Sequence, residues 1–255
     1  MPTSSNSQQG QDVEEDESTS LLPQLNDYQS HVLSRKTLLV VFPALALVQF
    51  TSFLDQTSIS TSLPAIASGL DTGSSVSWVA ASFLTTSTSI QLINGRFSDI
   101  FGRKSCLLSA LVVMGLGNLL SGFSQSSAQL YATRAFTGFG AGAINALVQI
   151  TISDITPLSE RGYYFGIVGI ATALGNGLGP VVGGTLTENT SWRWAFWFIC
   201  PLTTLAAGYL MLVLPRSLAP ENIWQKLKTV DWLGAFTNIT AIILILVRYA
   251  FLITC

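Results

Sequence analysis

From residue 38 onward the sequence is a succession of apolar runs, each long enough for a membrane-spanning helix. A helix crossing a hydrocarbon layer of ~30 Å needs about 20 mostly apolar residues. Seven runs meet that length, at roughly 38–63, 75–95, 104–123, 129–152, 163–187, 194–214 and 232–253. They are continuously apolar and do not alternate, which predicts helices and not a barrel of ten-residue strands. Their interiors are rich in Ser, Thr and Gly, as in helices that pack on one another in lipid. The chain carries 12 Lys and Arg and 14 Asp and Glu among 255 residues. Soluble domains carry charge on about 25% of residues, so this chain lacks the material for a charged surface. An all-α polytopic membrane protein is expected.

Residues 1–34 are of another kind. They are rich in Ser, Gln, Asp and Glu, with the run DVEEDE at 12–17. Such a segment cannot bury enough apolar surface to offset its ordering entropy, and is expected to be a disordered acidic tail. It lacks the basic start and apolar core of a signal peptide. Within it, Glu17 precedes the pair Leu21-Leu22 by four residues. This resembles the acidic dileucine signals that direct cargo to vacuoles or lysosomes. The plainer reading is a chance match in an acidic tail.

The basic residues set an orientation. Arg35, Lys36, Arg96, Arg103, Lys104, Arg161, Arg216, Lys226 and Lys228 fall in alternate inter-span segments, and the other segments hold only Arg193. Positively charged loops stay in the cytosol. The N-terminus and these loops are therefore expected on the cytosolic side. The formal net charge of −2 offers no basic footprint for nucleic acid. Cys106, Cys200 and Cys255 form no spaced framework, and the single histidine, His31, lies in the tail. Neither a metal site, a cofactor site nor an enzyme is expected.

Several charges are placed where charge is costly. Asp55 sits within the first run and Arg134 within the fourth. Ionisable groups in a membrane usually face a cavity or a partner, and arginine stays charged at any relevant pH. Asp55 is placed to take a proton or hold a cationic substrate, or else is a packing acid. Arg134 needs an acid, carbonyls or water. Arg134 precedes Gly138, Gly140 and Gly142. A dinucleotide-binding reading of these glycines fails, because no strand or βαβ unit surrounds them.

Between runs two and three stands GRFSDIFGRK, residues 95–104. It reads as a tight turn shaped by Gly95 and Gly102, with Arg103 and Lys104 fixing its side. Asp99 is placed either to pair with Arg103 or to accept hydrogen bonds from the exposed amides of a helix N-terminus; the plainer reading is a solvated charged loop. After run four, SDITPLSERG offers Asp154 and Arg161 as charges that can pair with that turn. In run five, Gly175, Gly179 and Gly183 recur every four residues and share one helix face. Pro180 removes a backbone donor beside them. SWRWAFWF at 191–198 sets Trp192, Trp194 and Trp197 around Arg193, as in an interfacial aromatic belt.

Taken together these motifs resemble the major facilitator superfamily, in family order over almost all of 36–253. Gly95, Asp99, Gly102, Arg103 and Lys104 resemble its cytosolic loop signature, which latches the two halves of the transporter. LDQTSISTSLPAI, with Asp55, is similar to the first-span signature of the fourteen-spanner drug:proton antiporters. Arg134 with Gly138 resembles the arginine signature tied to proton coupling. Gly175, Gly179, Pro180, Gly183 and Gly184 resemble the antiporter signature of proton-driven exporters. The subgroup implied is that of fungal vacuolar basic amino acid transporters.

The resemblance implies a six-helix N-terminal bundle of the major facilitator fold over 35–215, a cytosolic linker at 216–231, and one additional transmembrane helix over 232–255. It implies proton-coupled antiport of small organic molecules, either basic amino acids or drug-like cations, at a vacuolar or plasma membrane. In the family, substrate binds between two pseudo-symmetric halves. The chain stops at Cys255, so a truncated fragment without its C-terminal half is expected, unable to transport alone. The alternative is a non-transporting paralogue or regulatory membrane protein. That would keep the packing glycines without needing Asp55 or Arg134.

Overall fold

A computed structural model describes residues 35–214, together with Gly234, Thr237, Thr240, Ala241 and Leu244. The acidic tail, the linker and most of the seventh expected span lie outside the described residues. Among the described residues the secondary structure is entirely helical. The long elements are α1 (Arg35–Gly69), α2 (Ser77–Phe101), α3 (Arg103–Gly122), α4 (Ser127–Ile155) and α5 (Arg161–Asn189). The sixth span is made of α6 (Trp194–Trp197) and α7 (Ile199–Val213). Pro201 has no amide to offer the Trp197 carbonyl, and the helical hydrogen-bond ladder is interrupted there. Phe198 between the two pieces still has helical dihedrals, φ −59° and ψ −30°.

The helices outrun the apolar stretches that announce them. α1 has 35 residues, about 50 Å at 1.5 Å per residue, so it extends beyond a ~30 Å hydrocarbon layer. Helical hydrogen bonding does not stop where apolarity stops. The same effect corrects the reading of GRFSDIFGRK. α2 continues through Gly95 to Phe101, and the reversal is confined to Gly102, with φ 85° and ψ 143°. Gly95 is a helix-interior residue that shapes no turn.

Five spans, α1, α3, α4, α5 and the α6–α7 pair, are long and apolar enough to cross a membrane by length and composition. α2 is long enough but is rich in Ser and Thr. Its hydroxyls turn back on their own helix: Thr85 donates to the Ala81 carbonyl at 2.7 Å, Thr88 to Leu84 at 2.8 Å and Ser89 to Thr85 at 2.7 Å. A satisfied hydroxyl is far less costly in lipid than a free one.

α1 packs chiefly on α5, α2 on α4, and α3 on α4 and α7. Glycines set the closest of these contacts. A side chain at Gly138 or Gly142 would strike the Phe83 or Ser87 carbonyl of α2. One at Gly140 would lie 2.6 Å from the Met114 nitrogen of α3. The chain alternates direction. One end of the bundle gathers the start of α1, the α2–α3 junction, the α4–α5 connection and the end of α7. Arg103, Lys104 and Arg161 lie at that end, and Arg193 lies at the other, where it donates to the Ser124 carbonyl at 3.2 Å.

Two apolar clusters fill the interior. The larger runs from Leu38 and Val41 through Phe83, Leu111 and Ile144 to Leu210. The smaller comprises Ile59, Ile66, Val79, Leu130, Trp192 and Phe196, toward the Arg193 end.

Candidate functional site

Where α1 meets α4, between the two apolar clusters, the bundle buries a charge pair. Asp55 is 0% exposed and Arg134 1%. Arg134 Nη1 lies 3.4 Å from both Asp55 Oδ1 and Oδ2, and 3.3 Å from Asn118 Oδ1 of α3. The guanidinium carbon stands 4.4 Å from the centroid of Phe83, a member of the larger cluster, and 5.7 Å from that of Phe196, in the smaller. Arg134 Nε is buried without a hydrogen-bond partner. Truncating either side chain would leave the other charge without its partner in an apolar interior, a state that costs several kcal/mol.

The geometry is loose for an arginine–carboxylate pair. A strong pair uses two guanidinium nitrogens on two oxygens at about 2.7–2.9 Å. Here one nitrogen faces three acceptors, all at 3.3–3.4 Å. Such a pair can be broken by neutralising the carboxylate without dismantling a tight fork.

The helix that carries Asp55 is seated on α5 by the glycine face. A Cβ at Gly175 would lie 2.8 Å from the Phe50 carbonyl oxygen, and one at Gly183 would overlap the Ser58 carbonyl. A Cβ at Gly179 would overlap the Thr57 hydroxyl and lie 3.1 Å from the Ser58 nitrogen. Hydroxyls of α1 reach across this contact: Thr57 donates to the Gly175 carbonyl at 3.2 Å, and Thr61 to the Pro180 carbonyl at 3.2 Å. Ser62 pairs with Thr187 at 2.8 Å. Gly184 stands apart from this contact, since a Cβ there would lie 3.9 Å from Thr61.

At the basic end, Arg103 joins two connections. It lies 2.6 Å from Asp99 Oδ1 through Nη2, and its Nε donates to Asp154 Oδ2 at 2.8 Å. Its Nη1 also faces the Ser98 hydroxyl. Lys104 Nζ donates to the Met211 and Leu214 carbonyls at 2.7 and 2.5 Å. Arg161 donates to the Ser153 carbonyl at 2.8 Å. Glu17, Leu21 and Leu22 lie outside the described residues.

Sequence reasoning singled out Asp55 and Arg134 separately, and the fold brings them together across 79 positions. It missed Asn118, Phe83 and Phe196. Asn118 had a signal, a carboxamide alone in the apolar run GLGNLL. The two rings had none, because a phenylalanine in a membrane span is ordinary.

The sequence pattern of the Major Facilitator Superfamily matches residues 45–254. The chain belongs to the Major Facilitator Superfamily. Among curated relatives, this superfamily member is 38% identical over 222 residues to Citrate exporter 1 of Yarrowia lipolytica, covering 87% of this chain and 33% of the relative. It is 39% identical over 216 residues to the MFS-type transporter clz4 of Cochliobolus lunatus, covering 84% and 39%. The chain thus spans little more than a third of the length of these relatives. Its fold is similar to that of the human organic anion transporter MFSD10 (TETRAN), with TM-score 0.62, 18% identity and coverage of 78% of this chain and 52% of that one. The POT family transporter PepTSo gives TM-score 0.63 at 17% identity, covering 70% and 39%.

Proposed function

We propose that this superfamily member forms the N-terminal bundle of a proton-coupled antiporter that exports small organic molecules. The observation that supports it most is the loose, fully buried Asp55–Arg134 pair. A carboxylate held by one nitrogen at 3.4 Å can accept a proton or a cationic ligand group and release its arginine. That is the exchange an antiporter needs at one site. The fit is to the fourteen-spanner drug:proton antiporters, with basic amino acids or drug-like cations as substrate and a vacuolar or plasma membrane as the location.

The rest of the machinery follows from the same reading. The basic end, with Arg103 and Lys104, faces the cytosol. Gly95, Asp99, Gly102, Arg103 and Lys104 form the latch, and Asp154 is its partner within this bundle. Gly175, Gly179, Pro180, Gly183 and Gly184 form the antiporter element, of which Gly175, Gly179 and Gly183 seat α5 on the Asp55 helix. A second bundle supplies the other wall of the substrate site, because major facilitator transporters bind substrate between halves.

A second substrate class has its own support. A relative 38% identical to this chain is named a citrate exporter. For an organic acid, Arg134 would be the binding group and Asp55 its competitor. Both classes are tested by imposing a pH gradient across vesicles that carry the chain alone, or the chain extended by the C-terminal bundle of a full-length relative. Uptake of lysine, arginine, histidine, a cationic dye and citrate is then compared. Gradient-driven uptake of one class that disappears in Asp55→Asn is expected of the extended protein. No uptake of any of them by that protein would reject the transport reading.

A further inference from the structure

We infer that Asn118 is a positioning residue that holds the Arg134 guanidinium whenever Asp55 is neutral. The inference rests on the reading of Asp55 as the group that loses its charge. Asn118 is 0% exposed, and its carboxamide is oriented from both ends. Its Nδ2 donates to the Met114 carbonyl at 3.2 Å, one turn earlier in α3, and its Oδ1 accepts from Arg134 Nη1 at 3.3 Å. It therefore presents an acceptor to the arginine, and a carboxamide has no charge to lose, so that acceptor is present at every pH.

The competing acceptors belong to a different helix. Asp55 Oδ1 and Oδ2, at 3.4 Å, are on α1, which is seated on α5. Asn118 is on α3, locked to the arginine's own helix. Beside it, a side chain at Gly117 would lie 2.9 Å from the Thr137 backbone of α4, and Gly140 of α4 meets the Met114 backbone. The Phe83 ring, on α2, lies against the guanidinium and adds an attraction that needs no titrating group. Arg134 thus has one acceptor that depends on the charge of Asp55 and one that does not. Among the described residues the Cys200 thiol of α7 is also within electrostatic range of Asp55, and its sulfur is turned to the Gly115 and Phe196 carbonyls. Among the described residues, neither α2, α3 nor α5 presents a charge to the pair.

This separates two roles that a pair alone would have to combine. Protonating a carboxylate that is an arginine's sole acceptor strands the arginine, which opposes protonation. With Asn118 present, Asp55 can be neutralised while Arg134 keeps a hydrogen bond and its place.

The test is a set of melting curves on the full chain in lipid nanodiscs, which needs no transported substrate. Asp55→Asn and Asn118→Leu are expected to lower Tm modestly when introduced singly, because the first leaves the Asn118 oxygen in place and the second leaves the carboxylate. Together they should lower it by more than the sum. In an Asp55→Asn, Arg134→Leu background, Asn118→Leu should cost little. D55N/N118D, which moves the carboxylate from α1 to α3, should recover the loss seen in D55N/N118L. If D55N/N118L fails to fold, recovery of monodisperse protein on adding Arg134→Leu supports the inference, and failure of that triple variant as well overturns it. Additive losses, or an equal Asn118→Leu cost with and without the arginine, would assign Asn118 to packing alone. Loss of proton-driven uptake in Asp55→Asn is a separate measurement, so a failed transport reading and a failed Asn118 reading are told apart.

Discussion

Arg103 Nε donates to Asp154 Oδ2 at 2.8 Å, across 51 positions, while Nη2 of the same guanidinium lies 2.6 Å from Asp99. One arginine ties the α2–α3 junction to the end of α4. Its planar fork presents a separate nitrogen to each of the two carboxylates and to the Ser98 hydroxyl.

Arg103→Lys is accordingly expected to lose one of its two carboxylates. Asp99 and Asp154 are about half exposed, so each pair stabilises by only ~0.2–1 kcal/mol. A double-mutant cycle with Asp154→Asn should return a coupling in that range. If the cluster is a latch, the transport rate should change by far more than the melting temperature. Equal, small effects on both would reduce the cluster to surface electrostatics.

Gly102→Ala and Gly95→Ala should behave oppositely. Gly102 has φ 85° and ψ 143°, a conformation that costs an L-residue roughly 1–3 kcal/mol. Gly95 is helical, and a Cβ there would meet Ile150 Cδ1 at 3.4 Å, an ordinary contact. Thermal melts of the two variants should show a clear loss for the first and no loss for the second.

The glycine face of α5 makes a graded prediction. Gly183→Ala drives a methyl into the Ser58 carbonyl and Gly175→Ala places one 2.8 Å from that of Phe50. Overpacking of this kind costs about 1–3 kcal/mol. Gly177→Ala has open space and should gain helix propensity, up to ~1 kcal/mol. Expression and melting of the three variants should rank Gly177→Ala highest and Gly183→Ala lowest. A neutral Gly183→Ala would mean that α1 and α5 are not in close contact.

Asp55→Ala should be far worse than Asp55→Asn. The alanine leaves a buried guanidinium without its carboxylate, a loss of about 3–5 kcal/mol for a broken buried pair, whereas asparagine retains an acceptor. Arg134→Lys should not restore function, because a point-charge ammonium cannot lie between Phe83 and Phe196 as a planar cation does. Size-exclusion profiles after heating separate the first two, and uptake assays report on the third.

What the sequence disclosed follows its physics. Spans were legible because lipid demands long apolar helices, and their ends were not, because α1 and α2 stay helical beyond the continuous apolar runs that announce them. Asp55 and Arg134 were conspicuous as charges where charge is costly, but their meeting across 79 positions depends on how α1 crosses α4. The spacing of Gly175, Gly179 and Gly183 announced a contact face without saying that its partner is the Asp55 segment. Gly95 looked like Gly102 in a charged stretch, and only the backbone tells a packing glycine from a reversing one. Asn118 was hidden by its neutrality.

Lys104 has a further consequence. Its ammonium group holds two carbonyls at the end of α7, those of Met211 and Leu214, as a cation at a helix C-terminus should. The neighbouring residue in sequence is Arg103, the centre of the charge cluster. The end of α7 is therefore bolted to the α2–α3 junction. A displacement of Leu214 would reach the Arg103 contacts through a single residue of backbone, making that junction a strain gauge for the last turn of α7.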